Sequence, residues 1–104
     1  MTTPRNVCMD GIVEDLGYDS LRIIRIFNRE GIGILALTVG DFLQIDPQRV
    51  LAMRGLWFSD IVLLMLWLRD HGVQDCDMRA YIDYVSRKAR QMSGAVAGRS
   101  CATP

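Results

Sequence analysis

The sequence has few of the side chains that bind metal ions or form disulfides. It contains three cysteines and one histidine. An odd number of cysteines without a Cys-x-x-Cys pair argues against a disulfide framework and a structural zinc site, so we expect a reducing, cytoplasmic environment. The sole histidine, His71, lies near Asp75, Cys76 and Asp77, but this group lacks the spacing of metal ligands. We therefore expect no bound metal.

Net charge and long apolar runs are also absent. Twelve basic and twelve acidic residues cancel, so the whole chain has no field that would steer it to nucleic acid or to an anionic membrane. The apolar segment from Leu56 to Leu68 is interrupted by Ser59 and Asp60, and it is shorter than the roughly 20 residues that span a bilayer. We expect no membrane partner, and any contact with nucleic acid must come from a local patch.

The sequence has no recognisable catalytic constellation. It contains no Gly-rich phosphate loop and no distinctively placed pair of carboxylates, and His71 has no Ser or Cys partner within a known motif. We therefore expect a non-enzymatic protein without a small-molecule cofactor.

The central stretch, Gly40 to Gly72, has the pattern of two helices joined by a short connector. Asp46 can cap the first helix, and Gly55 is expected to end it. The connector is expected over about residues 55–59, and Ser59 or Asp60 can cap the second helix. The second helix, which Gly72 is expected to end, contains eight successive apolar residues, Ile61 to Leu68. A helix that is apolar on every side has to be covered on every side. Either the C-terminal helix or another chain must provide that cover.

Apolar residues at helical spacing predict further helices on both sides of this centre. We expect them over residues 7–16, 21–30, 39–44 and 78–92, with Thr38 as the cap of the helix over residues 39–44. At 104 residues the chain has the length of one domain. The predicted fold is all-α, a single compact domain of five or six helices over residues 7–92 with a helix-hairpin-helix core. A flexible N-terminus (1–6) and a flexible tail (93–104) are expected to flank it.

A basic stripe on the predicted helix over residues 21–30 is the first candidate for binding. Arg22, Arg25 and Arg29 recur at steps of three and four, which places them on one face. Such a stripe is typical either of a surface that contacts phosphates or of the solvated side of an amphipathic helix.

Aromatic residues around the connector are the second candidate. Trp57 and Phe58 lie at its end, and Trp67 lies in the apolar helix that follows. Aromatic side chains dominate the binding energy of protein interfaces, which predicts a protein-binding role for these three residues. The alternative is that the tip of the hairpin folds into the core.

Several short motifs occur in a familiar order along residues 13–73. They are Val13-Glu14-Asp15-Leu16, Ser20-Leu21-Arg22, Arg29-Glu30-Gly31-Ile32, Val39-Gly40-Asp41-Phe42-Leu43, Val50-Leu51, Gly55-Leu56 and Gly72-Val73. In this order they resemble the C-terminal domain of the bacterial RNA polymerase alpha subunit, a compact domain with helix-hairpin-helix geometry. The resemblance implies a helical, non-catalytic protein that binds DNA and transcription factors. The helix over residues 78–92 lies beyond the resemblance, and its apolar spacing predicts a covering helix.

The turn that contacts DNA in that family differs in this sequence. Trp57 takes the place of a family glycine, and Asp60 takes the place of a serine. Arg22 matches the family's arginine, while Arg25 stands where the family has an asparagine. Since phosphates bind where a bare backbone meets a helix N-terminus, Trp57 is expected to block their approach and Asp60 to repel them.

Two functions follow from these patterns. The first is an interaction module that binds protein, either in a transcription-associated complex or as a homo-oligomer, through Trp57, Phe58 and Trp67. The alternative is a DNA-binding transcriptional regulator that contacts the phosphate backbone of double-stranded DNA through Arg22, Arg25 and Arg29.

Overall fold

Helices form almost all of the regular structure in a computed structural model that describes the backbone of residues 4–101 and the side chains of residues 4–92. The α-helices are α1 (Ile12–Leu16), α2 (Tyr18–Arg29), α3 (Val39–Gln44), α4 (Pro47–Leu51), α5 (Phe58–Asp70) and α6 (Arg79–Cys101). Short 3-10 turns occur at Pro4–Asn6, Met9–Gly11, Ile34–Ala36 and Asp75–Met78. Over this part of the chain, the all-α class and the predicted number of helices are confirmed.

Local hydrogen bonds set the starts of α3 and α4. Thr38 Oγ1 accepts a hydrogen bond from the Asp41 N–H, and Asp41 Oδ2 accepts one from the Thr38 N–H, both at 3.1 Å. This reciprocal pair satisfies two backbone donors that a helix start leaves without partners. Asp46 Oδ1 accepts from the Gln48 N–H at 3.0 Å. The helix starts predicted at Thr38 and Asp46 are therefore confirmed.

The connector between α4 and α5 is longer than the sequence predicted, and it begins earlier. α4 ends at Leu51, so the connector spans residues 52–57. Asp60, one of two predicted caps, lies in the first turn of α5, where its Oδ2 accepts a hydrogen bond from the Trp57 N–H at 2.8 Å. At the other end, Gly72 adopts a φ of +93°. This left-handed conformation favours glycine after a helix, as predicted.

The apolar helix α5 lies against the core along one side. Ile61, Leu64 and Leu68 are buried, and together with Phe42 and Tyr81 they line one internal apolar space. Because Tyr81 belongs to α6, the C-terminal helix provides part of the predicted cover within the same chain. Its ring stacks on that of Phe42 with 6.2 Å between centroids.

The opposite side of α5 is not covered in the same way. Val62 and Leu63 are half-buried, and Leu66 is 49% exposed. The prediction that the whole segment from Ile61 to Leu68 is buried is therefore wrong at Leu66. The long apolar run fills the core with one face and leaves a narrower apolar strip at the surface.

Both ends of the chain are more regular than expected over the described residues. The N-terminal turn Pro4–Asn6, predicted to be flexible, packs on α3, since a Cβ atom on Gly40 would lie 3.1 Å from Arg5 Cβ. An isolated antiparallel β-bridge pairs Cys8 with Thr38. α6 continues past Met92 to the end of the described backbone, although a tail was predicted there. The rest of the predicted flexible ends, residues 1–3 and 102–104, lies outside the described residues.

Candidate functional site

Arg22 holds the connector between α4 and α5 against α2. Its Nη2 donates a hydrogen bond to the Gly55 carbonyl oxygen at 2.6 Å, and its Nε lies 3.3 Å from Asp60 Oδ2. The guanidinium carbon also lies 3.7 Å from the centroid of the Trp57 ring, a cation–π stack. One side chain therefore fixes three points of the connector and of the start of α5.

Asp60 links this arrangement to the α5 N-terminus. The residue is 4% exposed, and its carboxylate accepts the Trp57 N–H while forming the ion pair with Arg22. The Arg22 Nε–H makes no hydrogen bond to a described residue, so this contact is an ion pair without hydrogen-bond alignment. Negative charge is favoured in the first turn of a helix. The Asp60 carboxylate, which was expected to repel a phosphate, is thus buried and paired with Arg22.

The other arginines of the predicted stripe separate into two roles. The Arg29 Nη2 donates a hydrogen bond to the Arg54 carbonyl oxygen, and its Nε lies 3.8 Å from Glu30 Oε2. Arg25 is exposed, and it forms no ion pair with a carboxylate of the described residues. Of the three predicted DNA-binding residues, Arg22 and Arg29 therefore hold the connector, and Arg25 points to solvent.

Trp57 is exposed although Arg22 holds its ring in place. The residue is 61% exposed, while its neighbour Phe58 is half-buried. Two more large side chains on α2 are also exposed: Tyr18 at 91% and Leu21 at 53%. The two predicted candidates, the aromatic tip and the arginine stripe, thus form one surface. We call it the Trp57 surface, made of Tyr18, Leu21, Arg22, Arg25 and Trp57.

Sequence reasoning missed Tyr18 and Leu21 as members of this surface. The predicted helix over residues 21–30 begins after Tyr18, and only its arginines are candidates for a binding face. The available signal was spacing, because Tyr18, Leu21, Arg22 and Arg25 stand at positions i, i+3, i+4 and i+7 of α2. Residues at these positions share one helix face.

Trp67 does not belong to a binding surface. It is 3% exposed, and its indole Nε1–H donates a hydrogen bond to Asp15 Oδ2 at 2.7 Å. The ring packs beside Gly11, where an added Cβ would lie 3.1 Å away. The prediction of a protein-binding role is corrected for Trp67, since the side chain fills the contact between α1 and α5.

His71 ends α5 beside this tryptophan. It is the C-cap residue of the helix, and its ring centroid lies 4.0 Å from that of Trp67. Its Nδ1 is 2.8 Å from the Trp67 carbonyl oxygen, and its Nε2 is 3.8 Å from Asp15 Oδ2. In the described part of the chain, no group of three or more His, Cys, Asp or Glu side chains is placed to hold a metal ion.

Tyr81 carries a hydroxyl group that is buried in the core. It is 4% exposed, and its hydroxyl has no hydrogen-bond partner among the described residues. Burial raises the pKa of this phenol well above its usual range, and the negative charge of Asp46 adds to the effect. Since apolar side chains surround the ring, we assign Tyr81 to the core rather than to a reaction site.

None of the described helices combines the length and the apolar character needed to cross a bilayer. No protein-family model, curated protein or solved structure matches the chain, so the likeness to the RNA polymerase alpha domain stays a prediction from sequence.

Proposed function

We propose that this chain is a non-enzymatic interaction module that binds another protein through the Trp57 surface. The observation that carries the proposal is the state of Trp57, which is 61% exposed and at the same time stacked on Arg22. Tryptophan, tyrosine and arginine are the residues most enriched among the hot spots of protein interfaces. The surface combines all three types around the exposed Leu21.

The rigid support of Trp57 favours binding for an energetic reason. An aromatic side chain that is free to rotate loses conformational entropy when a partner immobilises it. The Arg22 contacts, together with the hydrogen bond from the Trp57 N–H to Asp60, reduce that loss before the partner arrives. The apolar ring is therefore presented to solvent in a fixed position, where a partner can bury it at low entropic cost.

The setting that fits this proposal is a transcription-associated complex in the cytoplasm. Its support is the resemblance of residues 13–73 to the RNA polymerase alpha domain, together with cysteine usage typical of a reducing compartment.

A cross-linking experiment tests the proposal. A photoreactive amino acid replaces Tyr18, which is 91% exposed and lies within the Trp57 surface. In cells of the source organism, we expect one discrete protein adduct that disappears when Trp57→Ala is added. The same photoreactive residue at Asp83, an exposed position on α6, serves as the matched control. Absence of a Trp57-dependent adduct would refute the proposal.

DNA binding is the second candidate, and the exposed Arg25 favours it. This guanidinium has no carboxylate partner among the described residues, and Arg25 lies between Arg22 and Arg29 on one face of α2. Binding to a DNA backbone releases counterions and therefore weakens steeply as salt rises. Tight, salt-dependent binding of duplex DNA that Arg25→Ala removes and Trp57→Ala leaves intact would favour this candidate over protein binding.

A further inference from the structure

Positive charge is concentrated around the Trp57 surface although the chain as a whole is neutral. The Arg49 Nη2 donates to the Glu30 carbonyl oxygen at 3.0 Å, and the Arg54 carbonyl oxygen accepts from Arg29. These contacts place Arg49 of α4 and the backbone of Arg54 in the connector beside the C-terminal end of α2. The group contains five arginines, Arg22, Arg25, Arg29, Arg49 and Arg54.

Two carboxylates are already paired with this group, and the exposed Asp19 of α2 and Asp46 before α4 form no ion pair with it among the described residues. Asp60 is paired with Arg22 and buried, and Glu30 lies 3.8 Å from Arg29. Arg25, Arg49 and Arg54 form no ion pair with a carboxylate of the described residues. The hydrogen bond from Arg49 to the Glu30 carbonyl leaves the formal charge of that guanidinium in place. The exposed side of α2 and the segments that pack at its C-terminal end therefore carry a net positive charge beside the Trp57 surface.

We infer that the partner of the Trp57 surface is an acidic peptide segment of another protein that carries a large apolar anchor residue. This inference rests on the proposed function and names the chemistry of the partner. The apolar anchor would bury Leu21 and the Trp57 ring, both of which are more than half exposed. Carboxylates on either side of the anchor would pair with Arg25, Arg49 and Arg54, since complementary charge selects the partner and speeds encounter.

The same charges argue against a second copy of this chain as the partner. A symmetric dimer presents the same patch from both subunits. Docking of two copies through the Trp57 surface would therefore bring the unpaired Arg25 of each copy towards the same face of the other, and like charges brought together at an interface are costly. A phosphate backbone would satisfy the arginines, but it has no apolar group to cover Leu21.

Selection from a peptide library tests the inference. The folded chain is immobilised and panned against a display library of short random peptides, with the Trp57→Ala variant used to remove peptides that bind elsewhere. We expect enriched peptides to contain several Asp or Glu residues around a Leu, Phe or Trp. The best peptide is then synthesised, and its dissociation constant is measured by fluorescence anisotropy at low and moderate salt.

Matched charge reversals identify the arginines responsible. Arg25→Glu with Arg54→Glu changes two exposed side chains of the arginine group, and we expect it to weaken binding of the selected peptide at least about tenfold. Lys88→Glu with Arg90→Glu makes the same change of net charge on α6, away from the Trp57 surface. We expect a loss of less than about threefold for this control, because an overall charge effect is weak and screened by salt. Circular dichroism checks that both variants remain folded.

The possible outcomes separate this inference from the proposed function. Enrichment of neutral or basic peptides that depend on Trp57 would overturn the acidic partner while leaving protein binding intact. Self-association in sedimentation, or binding of an oligonucleotide, that Trp57→Ala abolishes would also overturn it. If no peptide depends on Trp57 while the cross-link from position 18 still does, the inference fails and the proposed function stands. Loss of both signals refutes both.

Discussion

Replacing Arg22 by alanine tests whether its side chain supports the fold or is available to a ligand. The substitution removes the hydrogen bond to the Gly55 carbonyl, the ion pair with Asp60 and the stack on Trp57. It also leaves the Asp60 carboxylate buried without its cation. Arg25→Ala is the matched control, since Arg25 lies one helical turn further along α2 and makes no ion pair among the described residues.

The expected loss of stability can be worked from these contacts. Removing one partner of a fully buried ion pair costs about 3–5 kcal/mol. The Arg22 side chain is 37% exposed, however, so water can approach the remaining Asp60 carboxylate. The lost hydrogen bond adds about 1 kcal/mol. We therefore expect Arg22→Ala to lower the free energy of unfolding by about 2–3 kcal/mol, and Arg25→Ala by less than about 0.5 kcal/mol.

Urea unfolding followed by circular dichroism measures both values. Removing the carboxylate charge first should reduce the effect, so Arg22→Ala is expected to cost at least about 1 kcal/mol less when Asp60→Asn is already present. Equal losses for Arg22→Ala and Arg25→Ala would refute the role of Arg22 in holding the connector. So would a cost of Arg22→Ala that does not change in the Asp60→Asn background.

The remaining predictions concern the core. Tyr81→Phe removes a buried hydroxyl that has no partner among the described residues, and we expect it to raise the free energy of unfolding by about 1 kcal/mol. Burial raises the pKa of Tyr81 in the folded state, so just above pH about 10 the phenol ionises only in the unfolded state. In that range the free energy of unfolding of the wild type should fall by about 1.4 kcal/mol per pH unit relative to Tyr81→Phe. Urea unfolding between pH 7 and 11 measures this difference, and Tyr18→Phe serves as the control at an exposed position. If the wild type and Tyr81→Phe show the same pH dependence, the burial of the Tyr81 phenol is contradicted. Leu64→Ala should cost about 2–5 kcal/mol and Leu66→Ala less than about 1, since Leu66 is half exposed; similar costs in urea unfolding would mean that both faces of α5 are covered.

Helix caps and helix ends, whose contacts join residues close together in the sequence, could be predicted from the sequence. The cap at Thr38 joins residues three apart, and the cap at Asp46 joins residues two apart. The left-handed glycine at position 72 follows the C-cap residue of α5. Such contacts depend on the local chain alone, so residue type and spacing are sufficient to identify them.

The orientation of α5 could not be predicted in this way. A helix that is apolar all around gives no periodic signal for the face that meets the core. The direction of Trp67 depends on its hydrogen bond to Asp15, which lies 52 residues away in the sequence. The half-exposed state of Leu66 likewise depends on where the neighbouring helices lie.

The candidate site was only partly predictable for a related reason. Arg22 and Trp57 were both identified, but as members of two alternative surfaces with different functions. The contact that joins them spans the connector, where the Arg22 side chain reaches a carbonyl 33 residues further along the chain. Position along a helix gives the face on which a residue lies, but it does not give the distant segment that packs there.

The ion pair between Arg22 and Asp60 has a consequence for how this sequence can change over time. Arg22 neutralises the charge of the buried Asp60 carboxylate, and Asp60 holds the Arg22 guanidinium in position. Inherited changes at positions 22 and 60 should therefore occur together, for example as a joint replacement by two uncharged side chains. This paired variation offers a way to recognise distant relatives whose overall sequence has drifted too far for ordinary alignment.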